Sequence, residues 1–465
     1  MQKNNFAVKI LIVGLLAVVL RLGFAVYLGP QWEPDSFTYM DVSRVLANTG
    51  HFATQNPVSG QLTPQAMRVP LFHLAAASLI KVFGPDAVRP VIAMNIILSV
   101  ATVLMTFYLF SFFFNINVGF LAGLLMAIDP NSVYNSILLM PDTLFSFLCL
   151  AAIVTGVFAL RSTDWKWYFF WGMAIGLAAM AKPVFKYFWL VALIVLVLQH
   201  SNWRSWSRYG LVLLLGSSLV IGPWLIRNHR IFGFWGLDLA TGIGSIWSTT
   251  DLIKLSTEQQ RQDDPELAKV RDVVVHSREE IRQVHPEMFN DKDIFAQFNY
   301  GVQAWQQVQS QLGLSLAETD RMLTRLGLET AIRNPGIVGK RFALNVINFL
   351  NSPASLAELV CRIIPGGKVY RQPLSVAWQE RNWTVVAPTI LVRLLYAAVV
   401  FLAVWGLVIY WRGPDHYAAW LIALTIFYFT FFSFTAGYDR YRLPIDPLFL
   451  GLAAYTITRK VQNEI

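Results

Sequence analysis

The sequence is short of charge. Of its 465 residues, 14% are Asp, Glu, Lys or Arg, where a soluble globular chain carries roughly 25%. With 55% hydrophobic residues and a mean hydropathy of +0.48, a water-soluble globule is excluded. Cysteine is scarcer still. Cys149 lies in an apolar run and Cys361 in a polar region, which gives neither a disulfide framework nor a thiolate metal box. The seven His are scattered, so no His-rich metal site is expected. There is no Walker A loop, no GxGxxG after a strand and no HExxH. Internal repeats are also missing, which leaves an inverted-repeat transporter without support. Asp291-Lys292-Asp293 resembles an acidic pair that holds a nucleotide-sugar metal, but no α/β pattern surrounds it.

What the chain does have is long apolar runs. A spanning helix needs ~20 mostly apolar residues, and candidate runs lie at 10–28, 88–114, 117–129, 132–160, 166–181, 184–199, 209–227, 387–411, 417–435 and 443–458. The first is too long for a signal-peptide core and reads as a retained anchor. The run 69–84 is short and bounded by Pro70 and Lys81, so it is expected to be re-entrant or interfacial. The fold class is an all-α polytopic membrane protein. Three parts are expected: a bundle over 1–228 with a first outer loop at 29–86, a mostly helical extracytoplasmic or interfacial region at 229–386, and C-terminal spans over 387–465.

The net charge of +9 is unevenly placed. Residues 229–387 hold 17 basic and 17 acidic side chains, so the excess lies with the 20 basic and 11 acidic residues beside the apolar runs. That pattern points to anionic lipid or phosphate at a membrane, not to nucleic acid. With ten spans and Lys3 and Lys9 inside, parity puts the first loop, the Lys182–Lys186 turn, the Arg227–Arg230 cluster, the 229–386 region and the Tyr438–Arg442 turn on one face. The interleaved charges of 257–283 read as solvated helix faces. The stretches 302–326 and 339–350 look amphipathic, fit to lie on a membrane or cover a cavity.

Several side chains in that face could carry chemistry. Asp35, in Pro34-Asp35-Ser36, is suited to cap a helix running to about Asn48, and a capped helix start is also a rigid place for a general base. Asp142 follows Pro141 inside an apolar run, two to three turns from its outer end. An acid there costs ~3 kcal/mol on insertion scales and faces a cavity or partner. Asp129-Pro130 lies nearer the surface and reads as a helix end. Arg68 alone reads as a side chain snorkelling to the headgroups. Lys182 with Lys186, Arg227 with Arg230, and Arg440 with Arg442 form three basic clusters at helix ends. Together they suit an anion such as a lipid phosphate.

The order of these landmarks resembles the GT-C membrane glycosyltransferases, in the branch of the protein O-mannosyltransferases and the bacterial lipid A aminoarabinose transferases. The likeness runs through Asp35, Tyr39 and Thr49-Gly50-His51-Phe52, then Arg68-Val69-Pro70-Leu71, then Val82-Phe83-Gly84 with Val88-Arg89-Pro90. It continues with Pro130, Asp142-Thr143-Leu144-Phe145, Lys182-Pro183, Pro223-Trp224 with Arg227-Asn228 and Phe232-Gly233. It ends with Ala331, Ile332, Asn334 and Pro335, then Arg440-Tyr441, Pro444 and Pro447. Two departures are visible. Glu33 and Asp35 are separated by Pro34 where the family often has adjacent acids, and no added soluble domain follows the last span.

The resemblance implies a GT-C-like bundle of about 10–12 transmembrane helices with amphipathic helices in the outer loops. It also implies an envelope glycosyltransferase using a polyprenyl-phosphate sugar on the extracytoplasmic face of the bacterial inner membrane, with a glycan, lipid or protein hydroxyl as acceptor. Asp35 would be the base and Asp142 a second site acid. Tyr39, Arg68, Lys182, Lys186, Arg227, Arg230, Arg440 and Arg442 would bind substrate or lipid phosphate. No metal ligands are assigned and no cofactor is required, with a divalent cation left open. The competing class is a transporter or flippase of an anionic amphipathic substrate, using the same charges along a pathway.

Overall fold

The computed structural model describes residues 2–56, 58–200, 202–247, 249–284, 294–364, 374–413, 415–432 and 438–463; Asp291-Lys292-Asp293 lies outside them. In chain order the helices are α1 (Gln2–Leu28), α2 (Pro34–Thr49), α3 (Leu71–Phe83), α4 (Val88–Phe113), α5 (Ile116–Ile128), α6 (Pro130–Ser136), α7 (Asp142–Leu160), α8 (Trp165–Ala181), α9 (Phe188–Gln199) and α10 (Trp203–Phe232). They continue as α11 (Thr241–Trp247), α12 (Glu258–Asp263), α13 (Pro265–Val284), α14 (Ile294–Leu312), α15 (Leu316–Arg333), α16 (Pro335–Asn351), α17 (Ala354–Ile363), α18 (Leu374–Gln379), α19 (Trp383–Trp411), α20 (His416–Phe432) and α21 (Asp446–Asn463). Strands β1 (Ala53–Gln55) and β2 (Leu62–Pro64) form a short antiparallel hairpin with Thr54 opposite Thr63.

Each of the ten apolar runs contains a helix, and the chain is an integral membrane protein. Among the described residues, five helices are long and apolar enough to cross a bilayer: Asn5–Leu28, Val88–Phe113, Asp142–Leu160, Trp203–Phe232 and Trp383–Trp411. The pair α5 and α6, bent by 54°, would make a sixth. The remaining apolar helices are shorter, among them Leu71–Phe83, Pro183–Gln199 and His416–Phe432.

The run expected as one span at 132–160 is broken. Chain 137–141 separates α6 from α7, because Pro141 cannot donate to a preceding turn. There the backbone pairs with the start of the first loop instead. The Gln31 N–H donates to the Ile137 carbonyl at 2.8 Å and the Leu139 N–H to the Gln31 carbonyl at 3.1 Å, while Asn95 Nδ2 donates to the Leu138 carbonyl at 2.8 Å. Asp142 is therefore the first residue of α7 and not a mid-helix acid. The earlier break, at Asp129-Pro130, is capped by the Asp129 carboxylate, which accepts from the Ser132 N–H at 2.8 Å. Asp129 is 5% exposed, and it forms the helix end that the sequence suggested.

Arg21, two turns before the end of α1, is fully buried. Its guanidinium donates to Ser99 Oγ at 2.7 Å, the Ala127 carbonyl at 3.0 Å and Ser132 Oγ at 2.8 Å. An intramembrane cation with those partners satisfies the carbonyls that the α5–α6 bend leaves unpaired.

Two compact units emerge. The first holds residues 1–65, 69–222 and 346–465; the second holds 66–68 and 223–345. In the first, α1, α4 and α5 share a core of Val13, Ala17, Val103, Phe107, Met126 and Ala127, and α7 packs on α8, α5 on α21 and α19 on α21. Gly172 of α8 lets that helix touch α10, since a Cβ there would overlap the Leu213 carbonyl. Gly172→Ala should destabilise the protein by about 1–3 kcal/mol, the usual cost of overpacking. A melting temperature unchanged from the parent would refute the close approach.

The second unit is a helical cluster whose core includes Ile243, Val270, Val274, Trp305, Leu323 and Leu326. The Leu239 N–H donates to the Ala66 carbonyl at 2.9 Å, which fixes the 66–68 segment here. The stretch 302–326 is two helices, α14 and α15, parted at Gly313 with φ +62°. Its apolar face is buried within this unit's own core. Some of the charges at 257–283 are more than solvated faces. Arg271 pairs with Glu329 at 2.7 Å and Arg325 with Asp264 at 2.7 Å.

Candidate active site

Glu33, Pro34 and Asp35 open α2. The N-cap is Glu33, two residues before the expected Asp35: its N–H donates to Ser36 Oγ at 3.0 Å, and its carbonyl accepts from the Ser36 N–H at 2.8 Å. Asp35 sits in the first helical turn, where a carboxylate is favoured by the helix dipole. The helix ends at Thr49, close to the expected Asn48, with Gly50 at φ +72°. The bridge of Gln31 to 137–139 ties this helix start to the loop that leads into Asp142.

Asp142 is 2% exposed. Lys182 Nζ reaches its Oδ1 at 2.5 Å, and Arg440 Nε lies 3.8 Å from the same oxygen. Among the described residues Oδ2 has no hydrogen-bond partner, an exposed cost for a buried acceptor unless a donor meets it. Lys182 follows the last turn of α8, and its ammonium lies 5.1 Å from the centre of the Tyr441 ring. Arg440 sits on the short 3-10 turn Asp439–Tyr441, with Nη2 donating to Tyr441 Oη at 3.3 Å. Burial disfavours its charged form, but Tyr441, Asp142 and Asp35 outweigh that and hold its proton more tightly than usual. Asp142, Lys182 and Arg440 thus meet in the first unit, with Asp35 near enough to act on the charge of Arg440.

The same neighbourhood holds groups that sequence reading missed. Tyr134 of α6 donates to Glu33 Oε1 at 3.3 Å. Glu358 and Arg362 of α17 pair at 3.4 Å. Burial makes the Glu33 carboxyl hold its proton above the ordinary glutamate range, and Glu358 adds to this, while Arg440, Tyr134 and Arg362 oppose it. Tyr134 sits within an apolar-looking run, and Glu358 and Arg362 within an unpatterned polar stretch. Neither carried a local signal.

The remaining predicted residues are placed differently. Arg442, two residues from Arg440, is 2% exposed and points away from Asp142. Its Nε donates to Asp446 Oδ1 at 2.6 Å and its Nη1 to the Leu350 carbonyl at 2.7 Å, with the guanidinium over the Tyr396 ring at 4.5 Å. Arg442 thus takes part in an internal network with Asp446 and the 349–350 carbonyls. Tyr39 is buried and stacks on His73, with ring centres 5.1 Å apart. Lys186 lies by the Tyr187 ring at 5.4 Å. Arg68, Arg227 and Arg230 belong to the second unit, where Arg227 packs over Trp224 at 4.5 Å and donates to Asn228 Oδ1 at 2.8 Å. Arg230 is exposed. Among the described residues no group of three His, Cys, Asp or Glu side chains could hold a metal ion.

The helical membrane architecture has the GT-C type of fold. Residues 67–226 match the family model described as dolichyl-phosphate-mannose-protein mannosyltransferase, and the GT-C resemblance read from the landmarks holds. Over 100% of this chain and 52% of the other, the structure aligns at TM-score 0.54 and 13% identity with the archaeal oligosaccharyltransferase AglB from Archaeoglobus fulgidus, solved with an inhibitory peptide and a dolichol-phosphate. The apo form of the Archaeoglobus fulgidus oligosaccharyltransferase aligns at TM-score 0.53 and 15% identity, over 99% of this chain and 52% of that one. A further alignment, at TM-score 0.38 and 12% identity over 99% and 79% of the two chains, is with ArnT from Cupriavidus metallidurans bound to undecaprenyl phosphate. The chain spans about half the length of the oligosaccharyltransferases it matches. No curated protein matches it.

Proposed function

We propose that the chain is a membrane glycosyltransferase that moves a sugar from a polyprenyl-phosphate donor to a hydroxyl acceptor on the extracytoplasmic side, with Asp35 as general base. The observation that carries the reading is the pair of cations on Asp142 Oδ1, Lys182 at 2.5 Å and the half-buried Arg440 at 3.8 Å, with Asp35 near enough to act on the charge of Arg440. Lys182 and Arg440 both turn toward Asp142, and their remaining N–H groups can donate to a phosphate. A lipid donor brings its own good leaving group, so no strong acid is needed. Asp35 takes the acceptor proton as the new C–O bond forms. The bond to the phosphate breaks with its electron pair, and Lys182 and Arg440 receive the developing charge. Attack opposite the phosphate inverts the anomeric carbon, a single displacement unlike the two-carboxylate double displacement of retaining glycosidases. The family match and the dolichol-phosphate in the AglB structure support a lipid-phosphate donor.

Purified protein in lipid, given a polyprenyl-phosphate sugar and an acceptor, should release polyprenyl phosphate in step with sugar transfer. Passage of the intact lipid-linked sugar across the bilayer without bond cleavage would overturn the reading in favour of transport. Lys182→Ala and Arg440→Ala should each weaken donor binding about tenfold to a hundredfold, the range for losing a charge-assisted hydrogen bond. Donor dissociation constants equal to the parent's in both variants would remove these residues from phosphate recognition.

A further inference from the structure

Arg440 is not fixed by the carboxylate it faces. Its Nε stands 3.8 Å from Asp142 Oδ1, too far for a hydrogen bond. Its Nη2 donates to Tyr441 of its own turn, so the guanidinium travels with the Asp439–Tyr441 turn. That turn is gripped from α6. Asn131 Nδ2 donates at 2.7 Å to the Asp439 carbonyl, which belongs to the peptide bond leading into Arg440. The same amide nitrogen donates to Asp446 Oδ2 at 2.6 Å. Asn131 Oδ1 accepts from Ser355 Oγ at 3.1 Å, and the Ser355 N–H donates to Asp439 Oδ2 at 2.7 Å. Asp439 is thus held at its carbonyl by Asn131 and at its carboxylate by Ser355. A second arm of Asn131 leads to Asp142. Asn135, one helical turn on, donates its Nδ2 to Asn131 Oδ1 at 2.9 Å, and its carbonyl accepts from Thr143 Oγ1 at 2.8 Å. Thr143 follows Asp142 in the first turn of α7. Asn131 therefore stands between the two members of the ion pair. Its four hydrogen bonds use both hydrogens and both lone pairs of the carboxamide, and the side chain is fully buried.

We propose that Asn131 is a positioning residue of the phosphate site, which sets where Arg440 stands relative to Asp142 and so where Arg440 can donate. The proposal rests on the polyprenyl-phosphate reading of that site. Asn131 acts through Arg440 and not on the substrate. Charge stabilisation depends on donors already standing where charge will develop, and a misplacement of about 1 Å can cost on the order of 10²-fold. The chain beyond the turn has its own attachment to α7, since Ser146 Oγ donates to the Leu443 carbonyl at 3.1 Å. The Asp439 carbonyl also keeps the Arg442 N–H as a donor at 2.8 Å. Loss of Asn131 should therefore redirect Arg440 without releasing the segment.

The test is a double-mutant cycle on the full chain in lipid nanodiscs, reading the dissociation constant of polyprenyl phosphate. Asn131→Leu keeps the shape, removes the hydrogen bonds and should weaken binding about tenfold, the weight of one charge-assisted hydrogen bond. With Arg440→Ala already present, the same change should weaken binding less than about twofold, because the residue it positions is gone. With Lys182→Ala present, the loss of about tenfold should persist. Parent-like affinity in a folded Asn131→Leu protein would overturn the proposal. So would an equal loss in all three backgrounds, the mark of a purely structural role. Thr143→Val decides the matter where Asn131→Leu does not fold. It removes one hydrogen bond on the Asp142 side, and should cost about threefold in the parent and less than about 1.5-fold beside Arg440→Ala. Parent-like affinity, or the same loss in both backgrounds, would overturn the positioning role and leave the phosphate site standing. Absence of polyprenyl phosphate binding in the parent protein would instead overturn the donor reading and the role of Asn131 with it.

Discussion

Asp35→Asn should yield a folded protein that binds donor nearly as the parent does and turns over about 10²–10⁴-fold more slowly, the usual loss when a general base is removed. Binding should survive because the phosphate is assigned to Lys182 and Arg440, and Asp142 still holds both cations. Folding should survive because the N-cap of α2 is Glu33 and its partner is Ser36, not Asp35. Asp41 offers a control on the same helix. It is exposed and pairs with Arg44 at 2.9 Å three residues on, so Asp41→Asn should leave turnover unchanged. Single-turnover measurement with saturating donor separates chemistry from binding. Parent-like turnover in a well-folded Asp35→Asn protein would rule out the role, and Glu33 would be the next acid to test.

Some of this geometry was legible in the sequence because it rests on local rules. Pro34-Asp35-Ser36 announces a helix start, and the helix stops within a residue of the expected place. Asp142 stands out as a charge inside an apolar run and Lys182 as one at the end of another, and they pair. Other features depend on contacts between distant segments. Hydropathy ran 132–160 together as one span because 137–141 is as apolar as its flanks. Only the pairing of Gln31 with Ile137 and Leu139 shows why the helix can break there. That break moved Asp142 to a helix start. Arg21 was in plain view inside the first apolar run, a signal of an intramembrane partner, but its partners lie about 80 to 110 residues away. The Arg440-Tyr441-Arg442 motif reads as one basic cluster. On a tight 3-10 turn, however, its two arginines diverge, one to Asp142 and one to Asp446.

That divergence makes Arg442 the side chain whose loss should cost the fold most. Its guanidinium lies against Asp446, with Asp439 and Asp129 close enough to act on its charge, and all three acids are buried. Arg442→Met keeps most of the volume and removes the cation. Breaking one side of a buried ion pair costs about 3–5 kcal/mol, which for a protein of ordinary stability, about 5–15 kcal/mol, is a large share. The damage should be pH-dependent in a direction that identifies its cause. Burial holds the Asp439 carboxyl above the ordinary aspartate range, with Arg442 the main opposing influence. Without Arg442 that elevation grows, and the folded state binds protons that the unfolded chain releases. Stability then rises as pH falls from neutral toward the unfolded aspartate value near 4, because protonation removes the unpaired charge. A variant that has lost only packing at Arg442 would show no such recovery. Thermal melts of Arg442→Met at pH 7.5 and 5.5, beside the parent protein, decide between the two. Asp439 also anchors Ser355 and with it the start of α17. Equal melting shifts at both pH values would remove Arg442 from this network.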